Sequence, residues 1–255
     1  MRFAKGLGYL FWDTADVFTF TVAKNFGLQD TVYWASNTIV DGPTNAVRVY
    51  YWEETSGTLF WNTITVVAWN WTPFICTAPD GTNPCGRMDD RILGATITGW
   101  GAPGVSDKVL WLSWNAAPIT GHPTVYTYVV KINPNNWTVL GYADVWNSTL
   151  TWGYTAISPN DRGHLGLVTN ALGGAVYTQL YVSLYDDLTP SPPPGWQVFL
   201  VQAGNIGPAD NSWGDYNCVD RNYPKGFQWV GSGHVKTAAD PVRPWFVRFG
   251  RYRDK

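Results

Sequence analysis

Gly214-Asp215-Tyr216-Asn217-Cys218-Val219, a small and a polar residue leading into a short β-rich run, has three counterparts upstream. They are Asp30-Thr31-Val32-Tyr33-Trp34-Ala35, Asp90-Arg91-Ile92-Leu93-Gly94-Ala95 and Gly153-Tyr154-Thr155-Ala156-Ile157. Their starts lie roughly 60 residues apart, and further strand-like runs follow each one. A repeat of that length, made only of strands and turns, predicts an all-β chain folded as a β-propeller with one blade per repeat. In a propeller the innermost strands start around one central opening. The quoted residues are therefore expected to converge in space.

The chain reads as a single domain over residues 1–255, with blades at about 29–88, 89–150, 151–212 and 213–255. Strands are expected at 31–36, 46–53 and 60–69, then at 91–98, 108–114, 124–132 and 138–144. The third repeat gives 152–157, 164–170, 175–185 and 197–202, and the fourth gives 216–220, 228–234 and 245–251. Asp41-Gly42-Pro43 and Thr55-Ser56-Gly57 supply turns, and Thr189-Pro190-Ser191-Pro192-Pro193-Pro194 is too proline-rich to pair in a sheet. The last repeat is one strand short, while residues 17–22 alternate as Val-Phe-Thr-Phe-Thr-Val with no blade of their own. That strand is expected to complete the last blade and close the ring, placing the chain ends in the same or adjacent blades. The count is four blades, or five if the first 28 residues hold more than one strand. The competing architecture is an open arc of a larger propeller.

Composition fits an extracellular all-β domain. Aromatics make up 16% and charged residues only 14%, against about 25% charged in ordinary soluble domains. Trp, Tyr and Thr suit a pleated surface. A formal charge of -2 argues against nucleic acid, which calls for a basic stripe, and the chain has no run of about 20 apolar residues to insert into a membrane. Cys76 and Cys85 bracket a turn-rich loop and are expected to pair in an oxidising compartment; the alternative is two free thiols. Cys218 reads as a small buried hydrophobe. Sequons stand at Asn70, Asn136 and Asn147. The opening Met1-Arg2-Phe3-Ala4-Lys5-Gly6-Leu7-Gly8-Tyr9-Leu10-Phe11 lacks a secretory h-region and a cleavage site.

Trp213-Gly214-Asp215-Tyr216, continued by Asp220 and Phe227-Gln228-Trp229, resembles the Trp-Gly-Asp-Tyr blade of secreted bacterial propeller proteins grouped with the sialidase-like superfamily. Arg221 stands where that pattern has a proline. Tyr128-Val129-Val130-Lys131-Ile132-Asn133-Pro134, Trp152-Gly153-Tyr154-Thr155-Ala156-Ile157 and Asp161-Arg162-Gly163-His164-Leu165-Gly166-Leu167 are similar to the family's preceding repeat. The resemblance covers about residues 90–250 and implies the fold and a secreted or surface setting, without an activity. A true sialidase carries an Asp-box, of which Asp80-Gly81-Thr82 keeps only the core. It also carries clustered arginines, for which Arg48, Arg91, Arg162 and Arg221 are available.

Three kinds of site follow. Asp215, Tyr216, Asp90, Arg91 and Arg162 are the catalytic candidates, and glycoside hydrolysis asks for two carboxylates at a set separation, with Asp161 and Asp220 also on offer. Asp30, Asp90 and Asp215 could form a carboxylate ring for Ca²⁺. The plainer reading of Asp215 and Tyr216 is structural, with the carboxylate accepting backbone N–H groups and the ring packing between blades. His122, His164 and His234 lack metal-ligand spacing, so no zinc or copper site is expected. Among the loop tryptophans (Trp71, Trp100, Trp137, Trp146, Trp196, Trp213), Trp213, Trp100, Trp146 and Trp196 are the ligand-binding candidates, since an exposed indole stacks on sugar rings. Trp34, Trp111 and Trp245 read as staples between blades. Three functions are carried forward: a module binding a glycan or an extracellular protein, a glycan-active hydrolase or lyase, and a self-associating structural protein.

Overall fold

The computed structural model describes residues 17–25, 30–39, 45–98, 108–189, 195–237 and 242–254. Trp100, the turn at 41–43 and the prolines at 190–194 lie outside them. Among the described residues the protein is all-β, with four sheets, no sheet closed on itself, and one 3₁₀ turn at Tyr252–Asp254.

The first sheet holds β1 (Thr21–Val22), β3 (Thr31–Ser36), β4 (Ala46–Glu53) and β5 (Thr58–Thr65), in that order. The second runs from β2 (Lys24–Asn25) through β6 (Ile92–Thr98), β7 (Val109–Ala116) and β8 (Tyr126–Asn133) to β9 (Thr138–Tyr142). β10 (Thr151–Pro159), β11 (Leu165–Leu172), β12 (Gln179–Tyr185) and β13 (Gln197–Ala203) make the third. β14 (Cys218–Arg221), β15 (Trp229–Lys236) and β16 (Val242–Phe249) make the fourth. Every pairing is antiparallel except the short β2–β6 one. β6 adjoins β10, β10 adjoins β14, and β1 and β3 lie against β6.

Two interior strands show why the pattern folds this way. β7 and β11 are buried along their whole length, so Val109-Leu110-Trp111-Leu112 and Leu165-Gly166-Leu167-Val168 read as apolar runs without alternation. Sheets meet face to face through Val47, Ile64, Leu110 and Leu112, then through Trp111, Val129, Leu165 and Leu167, then through Val168, Leu180, Val219 and Trp229. Gly166 is fixed by this packing, because a Cβ there would stand 2.6 Å from the Trp229 indole. The Trp229 Nε1–H donates to the Ser158 carbonyl at 2.9 Å, which locks the third sheet to the fourth.

Two expectations are corrected. Residues 17–22 do not complete the fourth sheet: Thr21 and Val22 pair with Ala35 and Trp34 of β3, and Val17 bridges Ile39. Alternation assigns a strand its faces but not its partner, and here Phe18 stays 79% exposed. Lys24 of β2 instead ties the second sheet to the fourth, donating to the Val219 carbonyl and pairing with Asp220 at 3.8 Å. Cys218 is exposed, because its neighbour Val219 takes the inward position of β14. The Cys76–Cys85 disulfide forms as expected, with Cα atoms 5.6 Å apart.

Candidate functional site

Three chain segments converge where β6, β10 and β14 begin. Their anchor is Asn115, buried on β7. Its Nδ2–H donates to the Asp89 carbonyl at 2.9 Å, and its Oδ1 accepts the Tyr154 N–H at 2.9 Å. Gly153 is required beside it, since a Cβ would meet Met88 Cε at 2.3 Å and Asn115 Oδ1 at 2.9 Å.

Tyr154 then bends the strand. It adopts φ 56°, in the left-handed region that a bulky residue rarely enters, where the β10–β11 register slips between Gly153 and Ala156. The surroundings over-determine it. Its hydroxyl donates to the Pro84 carbonyl at 3.0 Å, with the Trp213 carbonyl 3.4 Å away. Its own carbonyl accepts from Asn217 Nδ2 at 2.6 Å, and that amide also donates to Asn170 Oδ1 at 2.8 Å. Strain held this firmly is typical of positions that shape a site. Burial, followed by the charges of Asp215 and Asp89, pushes the phenol above its ordinary range.

At the mouth stands Arg91. Its Nε is 2.7 Å from Asp89 Oδ2 and its Nη2 is 3.5 Å from Asp215 Oδ2, so one guanidinium is shared by two carboxylates. All three side chains keep about two-fifths of their surface exposed (39%, 43% and 41%). Asp89, ahead of Asp215, holds the guanidinium charged.

Two cavities open on either side of Asp215. One of 260 Å³ lies between Thr19, Thr21, Arg91, Tyr154 and Asn217. The other, 580 Å³, is walled by Trp213, Tyr216, His234, Val242 and Pro244. His234 stacks on Trp213 with ring centroids 4.5 Å apart, and burial holds its imidazole below the ordinary value, hence neutral. Tyr216 is 79% exposed.

The expected convergence of Asp215, Arg91 and Tyr154 is present, and Tyr216 borders the larger cavity. Other candidates stand elsewhere. Asp90 turns into the first core, where its Oδ2 accepts the Trp69 Nε1–H at 2.9 Å and burial raises its carboxyl. Asp30 is exposed at the start of β3 and is bonded by the Thr31 hydroxyl. A ring of Asp30, Asp90 and Asp215 is thus not assembled among the described residues. Arg162 pairs with Asp254 at 2.9 Å and covers the Phe227 ring, Arg221 pairs with Asp161, and Arg48 covers Trp61. Arg91 alone of the four arginines reaches the site.

The tryptophans are corrected in the same way. Trp196 is buried with its Nε1–H on the Ala143 carbonyl at 2.5 Å, whereas Trp213, though largely buried against His234, does border the larger cavity. Trp146 is half-buried and meets the edge of His122. Turn-like sequence put these indoles on the surface, but their rings pack against Tyr185, His122 and His234. Trp71, by contrast, is 58% exposed. Asp89 and Asn115 escaped the sequence reading, Asn217 entered it only within the opening motif, and His234 only as a histidine without metal-ligand spacing. Asp89-Asp90 shows why: adjacent residues point apart, so choosing the wrong member of the pair loses the site.

His164, Asp186 and Asp187 form the one group of three ligand-type side chains spaced for a cation among the described residues. Both carboxylates are already taken, Asp186 by Arg251 through two contacts of 2.5 and 2.6 Å and Asp187 by Arg253. The group is an ion-pair clasp for the chain end.

No protein-family model matches the chain, and no characterised protein matches it in sequence. Among solved structures it is similar to an α-L-arabinofuranosidase from Lactobacillus brevis, at 14% identity and a TM-score of 0.37, over 84% of this chain and 68% of that one. A likeness this distant carries no argument about fold or activity.

Proposed function

We propose that the chain is a propeller-like module of an extracellular protein that binds a glycan at the Asp89–Arg91–Asp215 centre without transforming it. Each sheet serves as a blade, its first strand toward the middle, and Lys24 ties the second blade to the last. The observation that carries the reading is the shared guanidinium beside two open cavities. Planar groups that donate and accept side by side match vicinal sugar hydroxyls, and the exposed Tyr216 ring offers a face for sugar C–H groups. The disulfide supports an oxidising, extracellular setting.

A hydrolase remains the second reading, favoured by Asp89 and Asp215 standing on either side of one cation. Self-association gets less support. The outer strand β16 carries Arg243, Pro244 and Arg248, the residue types that blunt a sheet edge against further pairing.

Calorimetric titration against a panel of soluble glycans, with release of reducing ends followed in parallel, separates these. The expected result is saturable binding that Asp215→Asn weakens about tenfold or more, with no release. Binding that survives Asp215→Asn unchanged overturns the proposed centre, and released sugar lost in that variant establishes the hydrolase.

A further inference from the structure

The two cavities differ in their walls. Hydroxyls, an amide and charges such as Thr21, Asn217, Arg91 and Asp215 dominate the smaller, beside the apolar Phe20 and Ile92. The larger is lined by rings and apolar side chains, from Trp213, Tyr216 and His234 to Val242 and Pro244. Asp215 borders both, as the divide between them. At 260 Å³ the polar cavity falls just below the ~300 Å³ at which ligand pockets usually begin, room for a single ring and little more. The 580 Å³ cavity has space for a second ring and a third.

The charges on these walls are matched. Arg91 is divided between Asp89 and Asp215, and Arg87, on the rim of the larger cavity, faces Asp210 at 3.9 Å. A bound carboxylate or sulfate group would have to displace one of these partners. Binding a charged ligand at a cation that is already paired forfeits the existing pair.

We infer that the ligand is a neutral oligosaccharide of at least two linked units, one hydrogen-bonded in the polar cavity and the next stacked in the aromatic-walled one, with Asp215 at the link between them. The inference rests on the glycan-binding reading and adds chain length and charge to it. It also separates this centre from one built for acidic sugars, where an unshared guanidinium meets the sugar carboxylate.

The test uses the full chain and two neutral series, xylose to xylotetraose and glucose to cellotetraose. Sialyllactose and trigalacturonic acid serve as acidic probes. On at least one neutral series the affinity should rise about tenfold or more from one unit to three and then level off, with the acidic probes no tighter than the neutral monosaccharide. Ser232→Trp, which fills the larger cavity, should bring the trisaccharide down to monosaccharide affinity. Tyr216→Ala should act in the same direction from an exposed position that tolerates truncation. If affinity is independent of chain length while Asp215→Asn still abolishes monosaccharide binding, the two-unit inference falls and the glycan reading stands. Preference for an acidic probe overturns the neutral assignment. If no saccharide on these series binds, both fall together.

Discussion

Two clusters of carboxylates and guanidinia lie on this protein, and they use the same chemistry for opposite ends. In the clasp, Arg251 grips Asp186 with two contacts, Arg253 holds Asp187, and Asp254 is buried against Arg162. The Asp186 side chain is 1% exposed. In the centre near Asp215, one guanidinium is stretched between two carboxylates, at 2.7 and 3.5 Å, beside open space. A bidentate, desolvated pair has no valence left for a ligand. A shared and half-exposed one has, and that is why the first cluster reads as structure and the second as a site.

The largest effect should come from breaking the clasp. Asp186→Ala leaves Arg251 partly buried without its partner, a loss of about 3–5 kcal/mol for a buried pair and a drop in melting temperature of about 6–12 °C. Calorimetric unfolding checks it, and a drop below 2 °C would erase the contrast between the clusters. The clasp also has a pH signature. Burial works to raise the Asp186 carboxyl, but Arg251, the Thr189 hydroxyl and the Leu188 N–H together bring it below its ordinary 3.8. A depressed carboxyl stabilises the fold above the unfolded value and loses that contribution as pH falls toward the folded one. Unfolding in acid should therefore steepen below about pH 4 in the native chain and flatten in Asp186→Ala.

Next in size is the disulfide. Its loop docks on the chain leading to Asp215, with Asp80 Oδ2 accepting the Gly207 N–H at 2.8 Å and Asn83 N–H donating to Asn211 Oδ1 at 2.6 Å. Replacing both cysteines by alanine should cost about 2–3 kcal/mol, from the short closed loop. Thermal melts of oxidised, reduced and substituted protein check it. Because Tyr154 bonds the Pro84 carbonyl inside this loop, glycan affinity should fall as well.

A third carboxylate sharpens the comparison by having no guanidinium. Burial pushes Asp144 up to about 7; the Val129 N–H donates to it at 2.8 Å, and His122, itself held neutral by burial, faces it at 3.4 Å with the Tyr126 hydroxyl nearby. For a carboxyl raised from 3.8, the stabilising contribution is complete below the unfolded value and is lost as pH rises through the folded one. Stability should thus decline between about pH 4 and 7 by up to about 4 kcal/mol. Asp144→Asn should remove that slope, as urea titrations at stepped pH would show.

Much of the strand order was legible because it is local. The runs at 109–116 and 165–172 are apolar throughout since both faces are covered, and the turns between them are marked by Gly and Asn. What the sequence hid was parity and partner. Cys218 and Val219 differ by one place, which in a strand is the difference between core and surface, and Asp89 and Asp90 part in the same way in the segment leading into β6. Val17 to Val22 advertised a strand, yet nothing in Val-Phe-Thr-Phe-Thr-Val states that Ala35 and Trp34 are its neighbours. Nor does spacing announce that Asn115, on the central strand of its sheet, is the bracket that joins Asp89 to Tyr154.

Asp215→Asn, read twice on one preparation, tests the central claim most directly. The account predicts a melting temperature within about 2 °C of the native chain, since a half-exposed pair contributes about 0–1 kcal/mol, together with glycan affinity weakened about tenfold or more. A melting temperature that falls as far as in Asp186→Ala, with glycan binding intact, would contradict it and make Asp215 a structural residue.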